Sequence, residues 1–409
     1  MPLPAGICSV GHLRHMAFAR LKSQGLPLLR AHLDFIIDRV LQERRLVGAV
    51  VLVSRHGEQI YRRAAGLADR EAQTPMKEDS IFLLASVTKP IVTAAAMRLI
   101  EDGRIGLDEA VTCWLPDFKP RLPDGRIPTI TVRHLLTHTA GLSYRTFEKS
   151  DSPYHALDIS DGLDQPGLSV AENLRRLAEA PLVYEPGTAW RYSLAIDVLG
   201  AIIAAATEKP LQAAMRDLVT SPLGMSDTDF TVVDRGRLAT PYANGTPEPV
   251  RIADGMAVSL FGAPVTFFPS RICNKASYAS GGAGMAGTAD DVLRFFESIG
   301  VGRDGLLRSE TVKQMMGNQV GQAPETWGPG WGFGFGWAVL HDPALAATPQ
   351  PKGTIQWGGV YGHNWFLDTA NGLCVVILTN TAFEGMNGAF PNDIRDCIYT
   401  SIQTETRPL

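Results

Sequence analysis

Cysteine is scarce in this chain of 409 residues: Cys8, Cys113, Cys273, Cys374 and Cys397 are odd in number, far apart and in no CxxC or Cys/His spacing. That excludes a disulfide framework and a thiolate zinc site, and it fits a reducing compartment. Basic residues are scattered singly, apart from short clusters such as Arg44-Arg45 and Arg62-Arg63, and the formal net charge is −4. Without a basic stripe to neutralise phosphates, nucleic acid is not an expected partner. No run approaches the length of apolar residues that spans a bilayer, and Arg14, Arg20 and Lys22 interrupt the region where a signal peptide would lie. No membrane partner is expected, and a cytoplasmic location is. Residues 1–28 read as a loosely attached N-terminal extension, part of which an upstream start codon could supply.

What is present is an ordinary globular composition, 45% hydrophobic and 20% charged, long enough for two structural regions with ample core. Apolar residues at helical spacing predict a helix over Leu29–Leu46, and Val47–Val53 and Gln59–Ala65 then read as strands joined by a turn at Arg55-His56-Gly57-Glu58. Near the other end, Gly334–Leu340, Gly353–Gln356, His363–Asp368 and Leu373–Asn380 read as strands, followed by a helix over Pro391–Ile402. Between them lie helical patterns over Val87–Glu101, Val132–Leu136, Val170–Ala180, Leu194–Ala206, Pro210–Leu218 and Ala289–Ser298. The expected organisation is an α/β domain from 29–85 and 289–409, its sheet built from both ends of the chain, with a mainly helical domain over 86–288 inserted.

Ser86-Val87-Thr88-Lys89 stands where a loop enters the helix ending near Glu101, so Ser86 and Lys89 share one face. A lysine amine beside a serine hydroxyl can accept its proton and make it a nucleophile; the bland alternative is a capping serine and a solvated lysine. Tyr192, in Trp190-Arg191-Tyr192-Ser193-Leu194, would project from a loop just before a helix capped by Ser193, and a phenol near Lys89 can share the proton transfer. Its alternative is a tyrosine buried with its hydroxyl satisfied. The run Gln356-Trp357-Gly358-Gly359-Val360-Tyr361-Gly362 lets backbone approach a ligand, and the Ser86 and Val360 amides can form a two-donor oxyanion hole.

The order Ser86-x-x-Lys89, Tyr192-Ser193, Trp357-Gly358-Gly359 resembles the serine β-lactamase and penicillin-binding superfamily, and within it the class C-like family VIII carboxylesterases. The stretches Leu83–Pro90, His134–Leu142, Ser280–Met285 and Gly328–Gly334 carry the same resemblance, which runs from about Leu29 to Tyr399. It implies an α+β fold with an antiparallel sheet flanked by terminal helices. It further implies Ser86 as nucleophile, Lys89 and Tyr192 as the base system, and the Ser86 and Val360 amides as oxyanion donors, with Trp357 lining the acyl pocket. Trp357 stands where the β-lactamases have the lysine of Lys-Thr-Gly, and an indole cannot hold a carboxylate as an ammonium does. Leu194 stands where their Tyr-x-Asn motif places an amide. Both departures point to neutral esters with short acyl chains, acetyl groups of cephalosporin-type esters among them, rather than to lactams. Gly358, Gly359, Tyr144, Asp197, His363 and Trp331 complete the candidate substrate-binding residues.

Other patterns carry less. His134 and His138 could share a helix face but lack the glutamate of HExxH, so no metal is expected. Gly282-x-Gly284-x-x-Gly287 matches a dinucleotide fingerprint with no strand leading into it, and no cofactor is expected. Asp158 to Asp164 lacks EF-hand spacing and reads as a solvated loop, and Trp331 to Trp337 reads as one strand packing its rings. No serine lies in Gly-x-Ser-x-Gly, against an α/β-hydrolase. The rival readings are a β-lactamase or D-amino peptidase, an acyltransferase, and a non-catalytic binding protein of the same fold. The expected partner is a small-molecule ester.

Overall fold

The computed structural model describes residues 25–260, 262–300, 305–322, 324 and 326–406; Cys8 and the expected extension as far as residue 24 lie outside the described residues. The first helix, Leu26–Gln42, opens with Pro27 in its first turn, where a missing N–H leaves no intrahelical bond unmade. Its buried stripe is Leu26, Leu29, Leu33, Ile37 and Val40. It stops at Gln42 rather than Leu46 because Arg44 takes a left-handed φ of 53°.

Three N-terminal strands, β1 (Gly48–Arg55), β2 (Glu58–Asp69) and β3 (Thr74–Pro75), join five C-terminal ones, β4 (Trp331–Phe333), β5 (Ala338–Leu340), β6 (Ile355–Gly359), β7 (His363–Asp368) and β8 (Leu373–Thr379). Together they form one antiparallel sheet in the order β4-β5-β6-β7-β8-β1-β2-β3. The seam is β1 against β8, with Ala49 opposite Thr379 and Arg55 opposite Leu373. Alternation explains why β1 reads as an unbroken apolar run: Ala49, Val51 and Val53 face the two terminal helices, while Val50 and Leu52 face the larger core. In β8, Val375 and Ile377 take the first side and Val376 and Leu378 the second. Each buried valine, leucine or isoleucine here contributes about 1.5–3 kcal/mol on burial. The last helix, Ala389–Thr406, packs beside the first and is tied to it by Arg39 and Asp393 at 2.7 Å. On the opposite face Ala289–Gly300 covers the sheet, with Phe296 stacked on Trp365 at 3.8 Å between ring centroids.

Between β3 and β4 the chain is mostly helices and loops, built around Thr88–Glu101 packed on Ala195–Thr207. Among the described residues, no helix is long and apolar enough to cross a membrane. Three local expectations are corrected. Trp331–Trp337 is not one strand: the chain reverses between β4 and β5, where Gly336, at φ 92°, lies so close to Thr93 that a β-carbon would fall 2.7 Å from its hydroxyl. Ser193 does not cap the following helix; Leu194 holds the cap position, and Ser193 is buried with its Oγ 3.3 Å from His138 Nδ1. The acidic run 158–164 is not simply solvated. Arg145 bonds Asp158 and the buried Asp164, and Asp161 accepts the backbone N–H groups of Arg145 and Thr146 at 2.7 and 2.9 Å. Charge spacing alone does not show a partner that a fold brings from elsewhere in the chain.

Candidate active site

Ser86 lies in a single 3-10 turn, Ala85–Val87, that leads directly into the helix Thr88–Glu101. Ala85, buried, takes φ 44°, a conformation that costs a non-glycine residue on the order of 1–3 kcal/mol and is held only where packing dictates it. The packing comes from two sides. The short pairing of Phe82–Leu83 with Ala286–Gly287 fixes the approach, and β6 presses against the turn. Gly359 makes that contact possible, since a β-carbon there would sit 2.6 Å from the Leu84 carbonyl oxygen.

One helical turn on, Lys89 is 1% exposed. Its Nζ donates to Ser86 Oγ at 3.2 Å and to the Gly282 carbonyl at 2.7 Å. The same Nζ stands 4.6 Å from the centroid of the Tyr192 ring and 5.5 Å from that of Tyr144. Tyr192 in turn accepts a hydrogen bond on its phenolic oxygen from Trp357 Nε1, at 3.1 Å. Ser86, Lys89, Tyr192 and Trp357 therefore form one connected group, although they come from a turn, a helix, a loop and a strand.

That group opens onto a cavity of about 760 Å³. Ser86, Tyr192, Trp357, Gly358 and Val360 line it, together with Phe147, Trp190, Arg191, Trp327, Asn364 and Arg395, which the sequence reading did not name as site residues. Trp357 packs against Tyr192 at 5.0 Å and Trp327 at 4.9 Å between ring centroids, so its indole is both wall and hydrogen-bond donor. The Arg191 guanidinium is answered by Glu148 at 2.7 Å and Ser143 Oγ at 2.8 Å.

The remaining candidates lie behind the cavity rather than in it. Tyr144 is buried beside Lys89 and Tyr192, and burial pushes its phenol well above its ordinary range, so it stays protonated. Asp197 accepts from Ser280 Oγ at 2.6 Å; burial raises its carboxyl, opposed by the Ser280 hydrogen bond and by Lys89. Gly282 separates Asp197 from Lys89, and a β-carbon there would lie 2.4 Å from Asp197 Oδ2. The glycine pattern that resembled a dinucleotide fingerprint thus lets the loop wrap Lys89. Trp331 is buried in β4, where its carbonyl accepts the Thr326 N–H at 3.1 Å. His134 and His138 do not share a helix face: His134 Nδ1 accepts the Thr131 N–H at 3.2 Å, while His138 lies past the helix end at φ 55°.

His363 also serves structure, donating from Nε2 to the Leu83 carbonyl at 2.8 Å and so tying β7 to the strand that leads to Ser86. Burial pushes its imidazole down to about 4. A histidine depressed in the fold favours the native state fully above 6.5 and loses that contribution as pH falls toward 4. Between the two the loss is on the order of 3 kcal/mol. Urea unfolding at pH 7 and pH 4 is expected to show a smaller pH-dependent loss for His363→Gln than for the parent. Identical losses would assign the acid sensitivity elsewhere.

The β-lactamase family model matches residues 33–397. The chain is 55% identical over 374 residues to the esterase EstB of Burkholderia gladioli, covering 91% of this chain and 95% of EstB. The solved structure of EstCE1, a hydrolase with promiscuous acyltransferase activity, is 49% identical and superposes with a TM-score of 0.90 over 93% of this chain and all of that one. A penicillin-binding protein homologue from Caulobacter crescentus, 21% identical, shares the fold with a TM-score of 0.68 over 91% of this chain and 97% of its own. With the family model spanning nearly the whole described chain and an esterase matched at more than half of aligned positions, the chain belongs to the β-lactamase family and is an ester hydrolase within it.

Proposed function

We propose that this protein is a serine carboxylesterase that cleaves short-chain acyl esters through an acyl-enzyme on Ser86. One observation carries the reading: Ser86 Oγ, hydrogen-bonded to a buried lysine amine at 3.2 Å, opens onto an aromatic cavity shared with Tyr192 and Val360. Ser86 Oγ attacks the ester carbonyl carbon, and its proton passes through the Lys89/Tyr192 pair to the leaving alcohol oxygen as the ester bond breaks. Water then gives a proton to the Lys89/Tyr192 pair and attacks the acyl carbon, the bond from that carbon to Ser86 Oγ breaks to release the acid, and the pair returns the proton to Ser86 Oγ. The Ser86 and Val360 amides receive the oxyanion in both steps.

Two features support a neutral ester over a lactam. Where an ammonium would hold a carboxylate, the Trp357 N–H is committed to Tyr192. Leu194, where a lactamase would present an amide, is fully buried in the core. The short acyl group packs against Trp357 and Trp327, leaving the rest of the cavity to the alcohol, with acetyl groups on cephalosporin-type esters as fitting examples. The purified protein is expected to hydrolyse p-nitrophenyl acetate and butyrate faster than octanoate and to turn over nitrocefin slowly. Nitrocefin as the better substrate would favour the lactamase reading, and ester products in place of acid on adding an alcohol would favour acyl transfer.

Trp357→Phe isolates the indole donor, since it keeps a ring in the wall and removes the bond to Tyr192. A neutral hydrogen bond is worth about 1 kcal/mol, so kcat is expected to fall about fivefold. An unchanged kcat with a changed acyl-length preference would make Trp357 a wall alone.

A further inference from the structure

The Tyr192 loop needs something to hold it, because its residues belong to no helix or strand. A single residue touches it from several directions. His138, fully buried, follows the helix Val132–Leu136 and takes a left-handed φ of 55°, which turns its carbonyl and its ring toward the same loop. The carbonyl accepts the Arg191 N–H at 3.0 Å and the Tyr184 hydroxyl at 3.2 Å. The ring accepts the Ser193 N–H on Nδ1 at 3.3 Å, and its centroid lies 4.8 Å from that of Tyr192. The residues on both sides of Tyr192 are therefore bonded to His138, and the phenol ring packs on its imidazole.

The neighbouring backbone extends the cradle. Val183 donates to the Gly141 carbonyl and Gly187 to that of Thr139, both at 2.8 Å, so the segment 138–141 runs alongside the loop. Among these contacts, the one to Ser193 alone uses the imidazole's chemistry. With Nδ1 accepting that N–H, the ring proton sits on Nε2, which finds no hydrogen-bond partner among the described residues, and the imidazole packs edge-on to the rings of Phe333 and Trp190 at 5.4 and 6.5 Å between centroids. A leucine would fill that space without burying an unpaired N–H; what it lacks is the acceptor.

We propose that His138 is a positioning residue for Tyr192, its Nδ1 fixing the Ser193 amide and its ring the phenol. This rests on the reading of Tyr192 as part of the proton-transfer pair. Losing the acceptor frees the loop on the Ser193 side, and a shift of the order of 1 Å in a reacting group can cost about 100-fold in rate.

The test measures kcat and KM for p-nitrophenyl butyrate, per active site titrated with a fluorophosphonate, in His138→Leu, His138→Asn and Tyr192→Phe. Asparagine tolerates the left-handed φ, and its side-chain oxygen can accept the Ser193 N–H. His138→Leu is expected to lower kcat by about 100-fold with KM little changed, and His138→Asn to recover most of it. An unchanged kcat per titrated site in His138→Leu overturns the proposal, as does an equal loss in both His138 variants. If His138→Leu yields no folded protein, His138→Ala, which adds no bulk, takes its place under the same criteria. Full activity in Tyr192→Phe would instead overturn the functional reading on which the proposal rests.

Discussion

Ser86→Ala is expected to lower hydrolysis of p-nitrophenyl acetate by at least about 10³-fold and to abolish labelling by a fluorophosphonate, with the melting temperature nearly unchanged. The large catalytic effect follows from the absence of any substitute at that position: alanine leaves the cavity, the Val360 amide and the Lys89/Tyr192 pair in place but nothing to carry the acyl group. The small structural effect follows from the surroundings. The side chain is only part-buried, and Lys89 retains its bond to the Gly282 carbonyl at 2.7 Å when the hydroxyl is lost. Mass spectrometry of the parent after labelling should place one adduct on the peptide containing Ser86. Full turnover in the variant, or an adduct elsewhere, would show that the nucleophile is wrongly assigned.

The second large effect concerns how two groups divide one task. Lys89→Met and Tyr192→Phe are each expected to lower kcat by roughly 10²–10⁴-fold. The double variant is expected to be no worse than the more damaged single, because groups acting as a unit lose their common contribution once. The geometry motivates this: Lys89 Nζ bonds Ser86 Oγ at 3.2 Å and lies 4.6 Å from the centroid of the Tyr192 ring, so removing either group alters the surroundings of the other. Methionine matches the length of lysine without placing a charge in a fully buried position, which keeps the comparison one of chemistry rather than folding. Losses that multiply in the double variant would mean that the two residues act at separate steps.

Much of this site was legible in the chain. Ser86-x-x-Lys89 survives translation into structure because helical spacing is local, and residues three apart across a 3-10 turn that runs straight into a helix remain neighbours. Tyr192 and Trp357 were legible only through the order of motifs, since nothing local announces that they meet. The strands of the sheet were readable where both faces are buried, as in β1 and β8, and misread at Gly334–Trp337, where the reversal answers a neighbour on the helix Thr88–Glu101. Asp197, His363 and Trp331 show the converse limit: they were placed among the substrate-binding candidates, yet none of the three lines the cavity. The far wall of the cavity, with Asn364 and Arg395, depends on how the last helix meets the sheet, which no short pattern encodes.

The seam between β1 and β8 bears on how the molecule is made. Ala49 waits for Thr379 as its partner, and at about 5–20 residues per second a ribosome needs roughly 15–60 s to supply it. During that interval β1, apolar on both faces, has β2 on one edge and nothing on the other. A nascent chain stalled after residue 300 would already contain Ser86, Lys89 and Tyr192, but neither the Trp357 donor nor the Val360 amide nor the strand that presses on the Ser86 turn. Activity should therefore emerge only with the final stretch of synthesis, and a fault confined to β8 would silence a serine that lies almost three hundred residues upstream.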